Sequence, residues 1–143
     1  EQGYDQILWT DAVEHKYIEE SGTMNVMFVM DGKLVSPSLG DTVLAGVTRD
    51  SVLRLAAQKG MEIEERKVPV AELKAAAESG ALTEAFGVGT AATMTAIETI
   101  GFASGDRDLP PVEGWRWMPD LAKSLDDIRR GRGEDIFGWR VVL

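Results

Sequence analysis

Apolar and polar residues alternate along this chain in short blocks, and glycines break the blocks apart. Ile7-Leu8-Trp9 is the first apolar run and predicts a short strand, with the polar stretch Asp11 to Lys16 as the turn after it. Tyr17 to Met30 is the longest β-like stretch, apolar at Tyr17-Ile18 and again at Val26-Met27-Phe28-Val29-Met30. Gly22 interrupts it and predicts a bulge or break. Asp31-Gly32 predicts a two-residue hairpin turn, and Lys33-Leu34-Val35 the returning strand, which ends at Ser36-Pro37-Ser38.

The period then changes. Thr48 is a good N-cap and Asp50 puts negative charge in a first turn, so a helix is expected from about Arg49 to Lys59, with Val52, Leu53, Leu55 and Ala56 inward and Gly60 as its stop. Met61 to Val68 reads as a strand whose alternation fails at Glu64-Glu65. Val70 to Ser79 is a second helix, with Leu73, Ala76 and Ala77 inward and Gly80 as its stop. Leu82 to Gly87 and Ala92 to Phe102 read as strands, and Ala103 to Gly114 as a loop around Pro110-Pro111. Asp120 to Arg130 is a third helix, with Leu121, Leu125 and Ile128 on one face, and Trp139 to Leu143 a last short strand. Strands and helices mix without regular βαβ alternation. The expected class is α+β, or an irregular α/β layer, as one domain over residues 1–143.

Composition narrows the chemistry. The formal net charge is −9, which argues against a nucleic-acid surface, since that needs clustered Lys and Arg on one face. The basic cluster Arg129-Arg130-Gly131-Arg132 is followed at once by Glu134 and Asp135 and reads as a solvated helix end. No apolar run approaches the roughly 20 residues of a membrane span. There are no cysteines, so disulfides, thiolate metal sites and a cysteine nucleophile are excluded, and a cytoplasmic location is compatible. The single histidine, His15, lies in the polar run Glu14-His15-Lys16 and reads as an exposed turn residue; it cannot build a His-rich metal site.

Three stretches could share one ligand. Phe86-Gly87-Val88-Gly89-Thr90-Ala91-Ala92-Thr93 carries two glycines, two threonines and no charge. Glycine permits positive φ and close approach to its amides, so such a turn can wrap an anion; the same residues also suit a tight turn between buried strands. Leu44-Ala45-Gly46-Val47-Thr48-Arg49 places a glycine directly before a helix N-terminus, where free amides and the helix dipole suit a phosphate; plain capping is the other reading. In Glu19-Glu20-Ser21-Gly22-Thr23-Met24-Asn25, strand alternation turns one of Glu19 and Glu20 inward. An inward carboxylate calls for a cationic partner, unless both lie at a sheet rim in water. Two anion cups and one inward carboxylate describe a ligand with a phosphate at one end and a basic nitrogen at the other. Pyridoxal phosphate has that form: its ring nitrogen must stay protonated for the ring to act as an electron sink, and a neighbouring carboxylate favours that state.

Four motifs, in order, resemble the branched-chain amino acid aminotransferases, which are fold-type IV pyridoxal phosphate enzymes. They are Gly3-Tyr4-Asp5-Gln6-Ile7-Leu8-Trp9, Ile18-Glu19-Glu20-Ser21-Gly22-Thr23-Met24-Asn25, Gly46-Val47-Thr48-Arg49-Asp50 and Phe86-Gly87-Val88-Gly89-Thr90-Ala91-Ala92. The resemblance covers nearly the whole chain and is weakest between Gly101 and Asp120. It implies a mixed sheet or pseudo-barrel flanked by about three helices, the large C-terminal domain of such an enzyme. It implies that Glu20 bonds the pyridine nitrogen. Gly46, Val47 and Thr48 would bind the phosphate, with Gly89 and Thr90 adding contacts from the glycine turn, and Thr23 and Ala91 would line the substrate site. The implied reaction moves the amino group of leucine, isoleucine or valine to 2-oxoglutarate, in a cytoplasmic homodimer serving amino-acid biosynthesis. A D-amino acid transaminase, an aminodeoxychorismate lyase, or a non-catalytic phosphate-binding module of the same fold are the alternatives.

Two departures stand out. Ala45 occupies a position where the family often has proline. Ala92 and Thr95 occupy the positions of a Cys-x-x-Cys redox switch found in eukaryotic members, so no such switch is expected. The family's Schiff-base lysine, with a phosphate-binding arginine and a ring-contacting tyrosine, is expected upstream of the region matching Gly3. Lys33, Lys59, Lys67, Lys74 and Lys123 read as surface positions, and Lys16, which shares strand parity with Glu20, is the only conceivable substitute. The chain alone is therefore expected to be inactive.

Overall fold

Apolar alternation on both faces of one strand organises the molecule, whose computed structural model describes residues 3–141. That strand is β3 (Met24–Met30), in which every residue from Asn25 to Met30 is buried. One of its edges is taken along its length by β7 (Leu82–Val88). The other edge is shared by β2 (Tyr17–Ser21) near its start and β4 (Lys33–Pro37) near its end. Beyond β2 lies β1 (Leu8–Thr10), beyond β4 lies β5 (Ile63–Arg66), and beyond β7 lies β8 (Met94–Ala96). The first half of β2 leaves β3 and pairs with β6 (Val68–Pro69). The result is an open, mixed sheet: β4 and β5 run parallel, the other pairs antiparallel, and no cycle of pairings closes a barrel among the described residues. A separate hairpin joins β9 (Thr99–Phe102) to β10 (Gly105–Asp108).

Three helices complete the fold. α1 (Val47–Gln58) buries Val52, Leu53, Leu55 and Ala56, the face expected from its period. It closes with Gly60 at φ +83°, the Gly60 amide bonded to Ala57 and the Met61 amide to Ala56, the paired bonds of a Schellman stop. α2 (Val70–Ser79) occupies the predicted span, buries Leu73 and ends at Gly80 in the left-handed region. α3 (Trp117–Arg129) packs Met118, Leu121, Leu125 and Ile128 into the core that β3, β4, β7 and α1 also line. No helix among the described residues is long and apolar enough to cross a membrane.

The α+β expectation is borne out, and several local expectations change. Of the bulge or break expected at Gly22 the break is found: Gly22-Thr23 is a hairpin turn between β2 and β3, with Gly22 at φ +56° in the first central position, where such turns need it. α1 starts at Val47 with Gly46 as N-cap and no side-chain cap bond, so Thr48 lies inside the first turn. The expected strand Ala92–Phe102 divides into β8 and β9, and the expected loop after it contains β10 and a 3₁₀ turn at Val112–Gly114. α3 begins three residues before Asp120, with Pro119 tolerated in its first turn because that turn's amides need no intrahelical acceptor. Trp139, Arg140 and Val141 form no strand: the Asp135 carboxylate accepts the amides of Trp139 and Arg140 at 3.0 and 2.7 Å and holds them just after the turn at Ile136-Phe137. The remainder of that expected strand, residues 142–143, lies outside the described residues.

Candidate functional site

Cross-strand register carries the candidate residues to one end of the sheet. Trp9 pairs with Glu20, Glu20 with Asn25, Asn25 with Val88, and Val88 with Met94. Opposed residues of antiparallel strands share a face, so this row lies on one side of five strands. Thr90 comes two residues after Val88, and Thr23 sits exposed at the tip of the β2–β3 hairpin.

Glu20 is half-buried and directly held. Its Oε1 accepts the Leu44 amide at 2.9 Å and an Asn25 Nδ2 hydrogen at 3.4 Å. Its Oε2 has no hydrogen-bond donor among the described residues. Glu19, its neighbour on the opposite face, accepts the Thr42 hydroxyl at 2.6 Å. Both carboxylates are thus tied to the loop that leads into α1, Glu19 at the Thr42 hydroxyl and Glu20 at the Leu44 amide, next to the helix start.

That loop carries the second group. Asn25 Nδ2 also donates to the Leu44 carbonyl at 2.9 Å. A Cβ on Gly46 would lie 2.3 Å from Asn25 Oδ1, so only glycine fits beside that amide. The first intrahelical bond runs from the Asp50 amide to the Gly46 carbonyl at 3.0 Å. The amides of Val47, Thr48 and Arg49 therefore precede the ladder, and no cap side chain takes them. Arg49 is buried and anchors this end: Nε donates to Ser36 Oγ at 3.1 Å, and Nη2 to the Pro37 carbonyl at 3.0 Å and Glu65 Oε2 at 2.8 Å.

The glycine turn works differently from its sequence rationale. Neither Gly87 nor Gly89 adopts positive φ. They are bare because Met24 crosses them: a Cβ would come within 2.7 Å of Met24 at Gly87 and 2.9 Å at Gly89. The chain then bends through exposed Thr90, Ala91 and Ala92, closed by the Gly89 amide on the Thr93 carbonyl at 3.4 Å. Arg129 of α3 steadies this bend through Thr93 Oγ1 at 2.9 Å.

Direct bonds join Glu20, Asn25, Leu44 and the Gly46 turn, and register alone brings Thr90 and Ala91 to the same end. These groups line an open face, where Leu44 and Val47 are 70% and 84% exposed. A cleft of about 330 Å³ beside them is lined by Tyr4, Gln6, Ile7, Trp9 and Thr23, but not by Glu20, Thr48 or Thr90. The donor set suits a phosphate and a protonated ring nitrogen: bare, uncapped amides at one point and a carboxylate with a free oxygen at another.

Lys16 does not suit a covalent role. It is exposed, and the Tyr17 hydroxyl first, then Glu14 and Asp11, raise its pKa above the ordinary lysine value. A carbonyl-attacking lysine needs the opposite shift. Lys33, Lys59, Lys74 and Lys123 sit in ion pairs with Glu62, Asp120, Glu78 and Asp127, and Lys67 lies over the Tyr17 ring.

Sequence reading assigned no role to Asn25, Arg49 or Glu84. Glu84 is buried, and its carboxylate accepts the amides of Arg116, Trp117 and Met118 at 2.8, 2.8 and 2.7 Å. Its signal was present, because it alternates in phase with buried Leu82 and Phe86.

Comparison with known proteins gives the family. A family model described as Amino-transferase class IV matches residues 1–100. The chain is 43% identical over 141 residues to a probable branched-chain-amino-acid aminotransferase of Staphylococcus epidermidis, covering 99% of this chain and 39% of that protein. Its fold is similar to that of the branched-chain aminotransferase of Thermoproteus uzoniensis crystallised with norvaline, at TM-score 0.77 and 32% identity over 96% of this chain and 41% of that one. It is also similar to the Thermobaculum terrenum branched-chain amino acid aminotransferase in its PLP form, at TM-score 0.69 and 31% identity over 92% and 39% of the two chains. The chain thus spans about 40% of the length of these relatives. With residues 1–100, most of its length, matched by the family model, the chain belongs to the class IV aminotransferases.

Proposed function

We propose that this chain is the C-terminal, cofactor-holding part of a pyridoxal phosphate-dependent aminotransferase that acts on leucine, isoleucine and valine with 2-oxoglutarate. One observation carries the reading: the Glu20 carboxylate is bonded to the same short loop whose far end opens as the uncapped first turn of α1. A ligand with a basic nitrogen and a phosphate is matched by those two features together.

The cofactor, when bound, supplies an electron sink for the carbon that loses its proton. The chain's own residues hold it. Glu20 accepts the ring N–H and keeps that proton in place by charge. The amides of Val47 and Thr48, with the Thr48 hydroxyl, receive the phosphate beside Gly46, whose own amide bonds the Leu44 carbonyl at 2.8 Å, and Gly89 and Thr90 approach from the second turn. Thr23 and Ala91 border the substrate. The anchoring lysine is assigned to the rest of the longer protein, since Lys16 is exposed and held protonated. The complete enzyme is taken to be a cytoplasmic homodimer.

The test uses the full-length protein. Added pyridoxal phosphate is expected to give a bound visible absorbance band, and leucine with 2-oxoglutarate to give glutamate. Absence of both overturns the reading. Residues 1–143 alone are expected to bind the cofactor weakly and to form no borohydride-trapped lysine adduct; trapping at Lys16 overturns the assignment of the lysine.

A further inference from the structure

We propose that Asn25 is the positioning residue that locks Glu20 to the Leu44–Thr48 loop, so that the carboxylate for the ring nitrogen and the amides for the phosphate are held as one unit. This rests on the proposed pyridoxal phosphate reading and adds to it a residue that never touches the cofactor.

Three observations converge on Asn25. It is directly opposite Glu20 in the β2–β3 ladder and only 6% exposed. Its amide nitrogen has two hydrogens, and the two acceptors near it are Glu20 Oε1 at 3.4 Å and the Leu44 carbonyl at 2.9 Å. Because both neighbours are acceptors, the amide can face them only with its nitrogen. The Leu44 amide then returns to Glu20 Oε1 at 2.9 Å and closes the ring of bonds. On its other side, Asn25 Oδ1 occupies the space that a side chain on Gly46 would need, 2.3 Å from that Cβ position. One side chain therefore touches the carboxylate, the loop carbonyl and the glycine before α1.

The chemistry follows from freedom of rotation. Glutamate has a flexible stem, and an unheld carboxylate must lose that freedom each time a ligand binds. With Oε1 pinned by Leu44 and Asn25, Oε2 is left as the oxygen for a ligand N–H. The same bonds fix the height of Leu44, and so the approach of Gly46 and Val47. Loss of Asn25 frees both ends at once.

The test is a double-mutant cycle in the full-length protein, with N25S and N25D each made alone and together with E20Q. Asn25→Ser removes the bridge; Asn25→Asp keeps its shape but turns an acceptor toward two acceptors. Using both keeps the comparison intact if one variant folds poorly. In each single Asn25 variant the affinity of the apoenzyme for pyridoxal phosphate, read by fluorescence quenching, is expected to fall about tenfold, the scale of one lost charge-assisted hydrogen bond. kcat is expected to fall with little change in KM for leucine. In the E20Q background the same Asn25 changes are expected to have a smaller further effect, because the part of their action that runs through Glu20 is already lost while the part that runs through the Leu44 carbonyl remains. A merely structural Asn25 would lower affinity equally in both backgrounds, and that result overturns the inference. Unchanged affinity in a folded N25S or N25D protein also overturns it. Failure of the wild-type full-length protein to bind the cofactor overturns the functional reading and this inference with it; the other two outcomes leave the functional reading standing.

Discussion

Glu84 shows how much a single buried carboxylate can organise. It lies on β7 yet takes the three amides that open α3, doing from another strand what a cap residue does from its own helix. Glu84→Gln keeps the shape but removes the charge and presents an NH₂ to amide donors. It is expected to destabilise the protein by about 2–4 kcal/mol, the range for breaking a buried charged hydrogen-bond set, read as a lowered unfolding midpoint in denaturant. Asp11 acts similarly at the surface. The Tyr17 amide first, then those of Glu14 and Lys16, hold its carboxyl well below the ordinary 3.8. A depressed folded pKa stabilises the folded state above the unfolded value, and that contribution is lost as pH falls through the folded one. D11N is therefore expected to be less stable than the parent at pH 7, with the difference shrinking as pH drops below 3.8. Thermal melts from pH 7 to the acid limit check this.

At the scale of elements, the sequence exposed what local chemistry dictates. Asp31-Gly32 forms its hairpin with both residues at positive φ, and Gly60 and Gly80 stop α1 and α2 where a left-handed residue is required. Gly80→Ala is expected to cost about 1 kcal/mol, the penalty for a side chain in that region. Boundaries set by tertiary contacts were not legible. Thr48 reads as an N-cap on propensity, yet Asn25 and Glu20 seize the Leu44 loop and begin α1 earlier. The bond that does so joins residues 19 positions apart and ends on a backbone carbonyl, which leaves no trace in side-chain pattern. Glu20, Gly46 and Thr48 were legible as candidates because their residue types carry the chemistry. Asn25 was not, because its role is to hold another residue. Gly46→Ala drives a methyl against Asn25 Oδ1, so it is expected to destabilise by about 1–3 kcal/mol as an overpacked contact does and to weaken cofactor binding in the full-length protein.

For the whole molecule, the distribution of exposed apolar residues fits a chain that spans about 40% of its relatives' length. Ile7, Trp9, Leu44 and Val47 stand 52% or more exposed around the candidate site. The clamp of Glu84 on α3 has a kinetic consequence. The opening amides of α3 have no acceptors of their own until β7 is in place, so strand and helix must form and come apart together. In heavy water, the amide protons of Arg116, Trp117 and Met118 should exchange at the rate of the β7 protons at Ala85 and Phe86, not at the faster rate of a fraying helix end. E84Q should uncouple the two sets.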